Sequence, residues 1–370
     1  MLLTFRLSHL RSGGTERVFL SIADYLSTVH GYRIDFVVDD VNGQETELVA
    51  RKKGYRVVGL GATRSWTSIL PFRRYLAAVR PDVVFSAYTE TNAAALLANA
   101  LNGFSTPIVV TEHASLDEHW AGKPAARRIM LEAIVRYGYR LADHAMCVSR
   151  GMAEQLGRRL RQREIGYIHN PVRFAERRHS KKEARSVLGL DIDVPLILAV
   201  GRIARQKNYM MLLRAFKVLL SQADCRLCIV GGVYEPAEKQ ALDRYIEDND
   251  LGRAIRFVDF TNDVQVFYEA ADVLVLSSAW EGFGNVLVEG LAFGLPVVST
   301  CCNFGPSEIL EDGRFGKLVE VDDHEAMAQA IRQVLTSNPF APESQRSRAQ
   351  DFSEKRIGAR YYDLIQKVVS

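Results

Sequence analysis

Two glutamates, Glu281 and Glu289, stand eight positions apart in the stretch SSAWEGFGNVLVEGLAFGLPVVST, residues 277–300. Gly282, Phe283 and Gly284 make a glycine-bracketed turn after the first, and the second lies in an apolar run that Gly294 and Pro296 bring to an end. Such a run reads as a helix starting near Gly284 or Asn285. Eight helical positions advance the chain about 12 Å, so one carboxylate stands at the mouth of the turn and the other along the helix. They cannot share a proton and are not the close pair of a glycosidase. A capping Glu281 and a solvated Glu289 would be the ordinary reading; a lone glutamate in an apolar helix beside a Gly-Phe-Gly turn argues for more. The preceding run ADVLVLSS, residues 271–278, has the character of a strand buried on both faces of a parallel sheet. Strand, turn and helix in that order bring a positive helix end to the carboxyl edge of a sheet, a place for an anion.

Upstream, Gly201 and Arg202 follow a strand-like run at 196–200, and Lys207 comes five positions after the arginine at a helix start. Two fixed cations at a sheet edge can stabilise a departing diphosphate in place of a divalent metal. Surface charge is the plain alternative, which the downstream glutamates argue against. Near the N-terminus the turn Ser12-Gly13-Gly14-Thr15-Glu16-Arg17 follows a strand and opens a helix, so its backbone can approach a ligand and aim amides at negative charge. It is not the GxGxxG of nicotinamide-binding sheets, and a structural turn and a ligand contact both stay open. Thr111-Glu112-His113 ends another strand, where a histidine either fills polar space or opens into the crevice of such a sheet.

In chain order, the Gly13-Gly14 turn, His113, an Asn170-Pro171 boundary, Gly201-Arg202 with Lys207, and Glu281-Gly282-Phe283-Gly284 with Glu289 and Gly294-Leu295-Pro296 resemble one known pattern. It is that of the retaining, metal-independent nucleotide-sugar glycosyltransferases of GT-B fold with an E-x7-E motif, the family 4-like "glycosyl transferases group 1". The resemblance covers most of the chain. It implies an α/β protein of two Rossmann-like domains facing across a cleft, the first for a glycan or lipid-linked glycan acceptor, the second for a nucleotide-sugar donor. It implies Glu281, His113, Arg202 and Lys207 as catalytic residues. The two cations would meet the donor diphosphate, Glu281 the sugar hydroxyls and the growing oxocarbenium charge, and His113 the donor sugar. Gly13, Gly14, Val258, Gly282, Phe283, Gly284, Asn285, Val286 and Glu289 would complete the donor site, with Glu289 on the ribose hydroxyls. No metal, no further cofactor and no nucleic acid is implied.

The implied reaction moves a hexose or N-acetylhexosamine, from a UDP-sugar first and GDP-mannose next, in bacterial surface polysaccharide or glycoconjugate synthesis. The segment Asn303-Phe304-Gly305-Pro306-Ser307-Glu308 resembles one in relatives that handle N-acetylhexosamine donors, although the aspartate usual near Cys302 or Asn303 is missing. A sugar-nucleotide epimerase on the same framework and a catalytically silent subunit of a polysaccharide assembly complex are the alternatives. Intact Glu281, Glu289, Arg202 and Lys207 argue against silence.

Those residues need elements to hold them. Strand-like runs at 2–7, 33–38, 56–58, 83–86, 108–111, 144–148 and 166–168 alternate with helical patterns at 15–29, 45–53, 69–78, 92–101, 125–142 and 151–160. That alternation reads as a Rossmann-like unit with a parallel sheet. After a charged linker at 170–182, runs at 196–200, 226–230, 255–258, 273–276, 297–299 and 316–319 repeat it. A chain of 370 residues suits two domains: an acceptor domain at 1–172, a donor domain at 173–343, and helices at 344–370 that cross back to the first.

With 48% hydrophobic and 25% charged residues, the composition is that of a globular protein with real cores. Residues 1–172 carry 22 Lys and Arg against 16 Asp and Glu, and the remainder 25 against 28, so the first half faces the more anionic partner. Its excess lies between 120 and 166, where ten basic residues from Lys123 to Arg163 face four acidic ones. Ile129, Met130, Ala133, Ile134, Tyr137 and Leu141 recur there at helical spacing. This is either a core-packed helix with a solvated face or a surface that meets anionic lipid or a lipid-diphosphate acceptor. The five cysteines lack a second CxxC to partner Cys225 and Cys228, which suits reduced, buried thiols and no zinc site. No apolar run reaches the length of a membrane span, and the N-terminus begins a strand with no secretory signal pattern. The expectation is a cytoplasmic protein, peripheral at the inner face of the cytoplasmic membrane if the basic stretch meets lipid.

Overall fold

The computed structural model describes residues 1–11, 13–41, 45–161 and 165–370; Ser12 and Arg163, named above, lie outside the described residues. The chain divides into two units, Met1–Arg173 with Phe352–Ser370, and Phe174–Asp351.

In the first unit the apolar runs become strands β1 (Leu2–Leu7), β2 (Arg33–Val38), β3 (Arg56–Gly59), β4 (Val83–Ala87), β5 (Ile108–Glu112), β6 (His144–Cys147) and β7 (Gly166–Tyr167). They form one sheet in the order β3-β2-β1-β4-β5-β6-β7, parallel throughout. The register sets Phe5 opposite Phe36 and Phe85, and the Phe5 ring centroid lies 5.3 and 5.8 Å from theirs. The helix Gly14–His30 closes over this cluster with Val18, Phe19, Ile22, Ala23 and Leu26 on its buried face, the stripe expected of a core-facing helix. The strand order reverses beside β1, so the turn after β1 opens at the switch point where sheets of this kind take ligands. β1 also carries Arg6, wholly buried and held by Asp39 and by the Ser68 hydroxyl at 2.7 Å, which no alternation rule foretells.

The second unit holds β8 (Leu196–Val200), β9 (Arg226–Val230), β10 (Ile255–Val258), β11 (Val273–Leu276), β12 (Val297–Thr300) and β13 (Lys317–Val319). The sheet order is β10-β9-β8-β11-β12-β13, again parallel. Its reversal falls between β8 and β11, and the turns that follow these two strands carry Arg202, Lys207 and Glu281.

Two expectations need correction. The tail does not act as one piece. The helix Pro342–Gln350 belongs to the second unit, where Gln345 donates to the Phe315 carbonyl at 3.0 Å and Arg348 to that of Ile309 at 2.8 Å. Only Phe352–Ser370 joins the first unit. Its helix Glu354–Val369 buries Ile357, Gly358, Tyr361 and Ile365, and Gly358 sits so close to the Tyr25 ring that a Cβ would lie 2.3 Å from it. The pattern at 125–142 is also not one helix: Ala125–Ala133 is α-helical, Ile134–Gly138 a π turn and Tyr139–Leu141 a 3-10 turn.

Candidate active site

The second unit's site begins at two loops stitched edge to edge. After β8 the chain passes Gly201 and Arg202 to a 3-10 turn, Arg205–Lys207, and then to the helix Tyr209–Leu220. A Cβ on Gly201 would lie 2.8 Å from Lys207 Cε, so this glycine lets the lysine stem cross the strand end. The Ala279 amide donates to the Gln206 carbonyl at 2.9 Å, and the Ser277 hydroxyl to the Lys207 carbonyl at 2.7 Å. These bonds tie the loop after β11 to the loop after β8.

Glu281 sits at that seam, buried. Lys207 Nζ lies 2.6 Å from its Oε1, the Ser278 hydroxyl donates to the same oxygen at 2.8 Å, and Gln206 Nε2 reaches Oε2 at 3.4 Å. A carboxylate with a lysine, a hydroxyl and an amide around it is fixed in direction, which is what a group that must orient hydroxyls requires. Gln206 and Ser278 were not singled out from the sequence; a glutamine or serine in a loop carries no spacing signal of its own.

The helix Asn285–Ala292 starts as the apolar run predicts. Gly284 precedes it with φ of 100°, a left-handed value that favours glycine, and Leu287, Val288 and Leu291 bury one face. Gly290 packs on β11, where a Cβ would lie 2.4 Å from Leu274 Cδ2. Glu289 is half-buried and accepts a hydrogen bond from the Tyr268 hydroxyl at 2.6 Å. Burial and Glu289 push the Tyr268 hydroxyl well up, so it stays a donor, and its ring stacks on Phe293 with centroids 5.4 Å apart. The two glutamates thus have separate partners. Gly282 and Phe283 lie buried between Glu281 and the helix, and Val286 is half-buried in its first turn.

Arg202 is exposed, its guanidinium 4.4 Å from the Tyr234 ring centroid and donating to Gln206 Oε1 at 3.2 Å. Gln206 therefore touches both the arginine and the Glu281 cluster. Val258 stands apart: it ends β10, the edge strand that β9 separates from β8, and its carbonyl accepts from the Gly231 amide at 2.9 Å. Cys302, buried just beyond β12, has its thiol pushed up to about 12 by burial and the nearby Glu281. It stays protonated at neutral pH and is no nucleophile.

In the first unit the residues gather at the carboxyl edge of β1, β4 and β5. A Cβ on Gly13 would lie 2.2 Å from Glu16 Oε2, whereas one on Gly14 would meet nothing within 4 Å. Glu16 is buried, accepts from the Tyr88 hydroxyl at 2.9 Å and has His9 Nδ1 at 3.1 Å. Glu16 belongs to the glycine turn read from the sequence, whereas His9 and Tyr88 come to it from separate segments that carry no spacing signal. His113 packs edge-on against Phe19, with centroids 5.3 Å apart, and its Nε2 lies 3.0 Å from the Thr111 hydroxyl. Its Nδ1 is buried and has no hydrogen-bond partner among the described residues. Burial lowers the ring to about 3, so His113 is a neutral imidazole at physiological pH. Next to it Glu112 is buried among Tyr139, Thr89 and Asn92; burial raises it to about 7 against the pull of those hydrogen bonds.

Residues 12–176 match the family described as Glycosyltransferase Family 4, and residues 180–355 match Glycosyl transferases group 1. An alpha-1,4-N-acetyl-D-galactosaminyltransferase of Campylobacter jejuni, named for an acceptor on PP-undecaprenol, is 26% identical over 385 residues, covering 100% of this chain and 99% of that protein. The lipopolysaccharide core biosynthesis glycosyltransferase LpsE of Rhizobium meliloti is 29% identical over 231 residues, 61% of this chain and 65% of that protein. The structure of Anabaena HepE in complex with UDP is similar at a TM-score of 0.84 and 18% identity, over 99% of this chain and 100% of that one. The chain belongs to the glycosyltransferases that these two family descriptions cover, one in each unit, and its α/β architecture is the GT-B fold.

Proposed function

We propose that this chain is a retaining, metal-independent glycosyltransferase that moves a hexose or N-acetylhexosamine from a nucleotide-sugar, UDP-linked in first place, to a lipid-linked glycan of a bacterial surface. The observation that carries the reading is the fixed Lys207–Glu281 pair, 2.6 Å apart at the switch point of the second sheet, next to the helix that starts at Asn285. Lys207 and Arg202 supply positive charge for a diphosphate leaving group, and the helix start adds its dipole. Glu281 holds sugar hydroxyls and faces the positive charge that grows at the anomeric carbon. Glu289, aligned by Tyr268, takes the ribose hydroxyls. Gly282, Phe283, Gly284, Val286 and Val258 form donor surroundings; at the head of the first helix Gly14 leaves backbone open, and Gly13 makes room for the Glu16 carboxylate. His113 contacts the donor sugar as a neutral hydrogen-bonding group.

In this mechanism the bond from the anomeric carbon to the diphosphate oxygen breaks while the acceptor oxygen bonds to the same face. The acceptor's hydroxyl proton passes to the departing phosphate oxygen. Such a step needs positioned charge more than a dedicated base, and Cys302 as a neutral thiol offers no covalent route. The UDP preference is supported by the UDP bound in the HepE structure, and the lipid-linked acceptor by the name of the Campylobacter relative.

The test is an assay of UDP-glucose, UDP-galactose, their N-acetylhexosamine counterparts and GDP-mannose against polyprenyl-diphosphate glycans, with and without EDTA. The anomeric configuration of the product is read by NMR. Transfer that survives EDTA and gives the donor's own configuration is expected. Inversion, or conversion of the donor with no acceptor present, would refute the reading, the latter in favour of an epimerase.

A further inference from the structure

The helical segment from Ala125 to Leu141 turns its apolar side the wrong way for a soluble surface. One row, Leu131, Val135 and Tyr139, is buried against the first unit. The opposite side carries Ile129 at 71% exposure and Tyr137 at 60%, with Met130 and Leu141 also exposed. An α-helix makes a four-residue row drift one way about the axis and a π turn makes it drift the other. The π turn at Ile134–Gly138 therefore keeps both rows aligned along the segment, one inward and one outward.

Cations border the outward row. Arg127 is taken up by Glu90 at 2.6 Å, and Glu132 and Asp117 are taken up by Arg159. Among the described residues exposed Arg128 and half-buried Lys123 have no ion pair, and exposed Arg140 has none either, donating to the Leu160 carbonyl at 3.4 Å. Apolar side chains that project outward between unneutralised cations suit a surface with anionic groups above and hydrocarbon beneath. A second copy of this face would set arginine against arginine, which costs rather than contributes. No helix among the described residues is long and apolar enough to cross a membrane.

We infer that the outward face of residues 123–141 lies on an anionic lipid bilayer, with Ile129, Met130, Tyr137 and Leu141 at the headgroup boundary and Lys123, Arg128 and Arg140 on the lipid phosphates. This docking is independent of which sugar is moved or whether any is, so binding alone tests it. Sedimentation with vesicles of phosphatidylglycerol and of phosphatidylcholine, without donor or acceptor, is the measurement. The wild-type chain is expected to sediment with the anionic vesicles only. The pairs Ile129→Glu with Tyr137→Glu, and Lys123→Glu with Arg128→Glu, should each weaken binding about tenfold or more. Arg332→Glu, an exposed charge reversal on the helix His324–Thr336, should leave it unchanged. Because a glutamate pair can disturb folding, the milder Ile129→Ser is measured beside it and should show a smaller loss in the same direction, with the thermal midpoint unchanged. Equal binding to both lipids, binding to neither, or an equal loss in Arg332→Glu would overturn the inference. So would a wild-type dimer that Ile129→Ser dissociates, which would make the face an interface between copies.

Discussion

Lys207 and Glu281 form an ion pair that any anion brought to the heads of β8 and β11 must share, so the two cations are expected to respond differently to removal. Arg202→Ala should cost about 2–4 kcal/mol of transition-state stabilisation in kcat/KM and leave the thermal midpoint in place, since Arg202 is exposed. Lys207→Ala should lose turnover as well and destabilise the fold by about 3 kcal/mol, because it leaves a buried carboxylate without its ion pair. Near-normal turnover in Arg202→Ala would remove it from the mechanism. Glu289→Ala should raise the donor KM, and Tyr268→Phe, which deletes only the aligning hydroxyl, should raise it by the equivalent of about 1 kcal/mol; an unchanged donor KM in both would contradict the ribose assignment. Glu112 and His113 give stability opposite pH slopes. The folded chain keeps a proton on Glu112 up to about pH 7, whereas the usual carboxylate loses it near 4.5, so this contribution falls as pH rises through that window. His113, lowered to about 3 from 6.5, stays neutral where the unfolded chain would take a proton, so its contribution falls as pH drops from 6.5 towards 3. Urea unfolding across pH should show the falling limb vanish in Glu112→Gln. Glu281, Glu289, Arg202 and Lys207 were legible because chemistry-bearing residues stood out of apolar runs beside glycines. Their partners Gln206, Ser278 and Tyr268 were not: Gln206 and Tyr268 meet their glutamates only when separate loops or helices are brought together, and Ser278, three residues before Glu281 in the same loop, has nothing in the sequence to set it apart from any loop serine.

At the scale of elements, the turn before the Asn285–Ala292 helix should be the most sensitive. Gly284 has a φ of 100°, and Gly284→Ala forces a side chain into that region at a cost of about 1–2 kcal/mol. It should also misplace the helix start, so a loss of activity larger than the loss of stability is predicted from paired kinetic and melting measurements. Full activity would show that the helix end does not serve the donor. The thirteen strands of the described residues were readable as short runs between polar breaks, most plainly where both faces are buried, as in β4, β5, β11 and β12. The order of those strands was not, since the sequence alone does not say which neighbours pair. The helix Pro342–Gln350 and the helix Glu354–Val369 read as one tail because only the second has a clear apolar stripe, Ile357, Tyr361 and Ile365. The first is held by side-chain bonds from Gln345 and Arg348 to backbone carbonyls, which leave no periodic trace. At 125–141, helical spacing of apolar residues gave no sign of which side was buried, and most of them face outward.

Across the whole molecule, two sheets of the same kind each put their polar residues at their own switch point, and the family match extends over both units. The central claim is that the second unit holds a nucleoside diphosphate without a divalent metal. The most direct measurement is a thermal shift of the full chain with UDP, GDP and ADP, each with magnesium and with EDTA. A ligand at about 100 times its dissociation constant stabilises a fold by roughly 2.7 kcal/mol, a readily measured rise in midpoint. The account predicts a rise with UDP that is the same in EDTA and absent in the Lys207→Ala, Glu289→Ala double variant, judged against that variant's own midpoint. A rise that EDTA abolishes would contradict metal independence, and no rise with any of the three nucleotides would contradict the donor site itself.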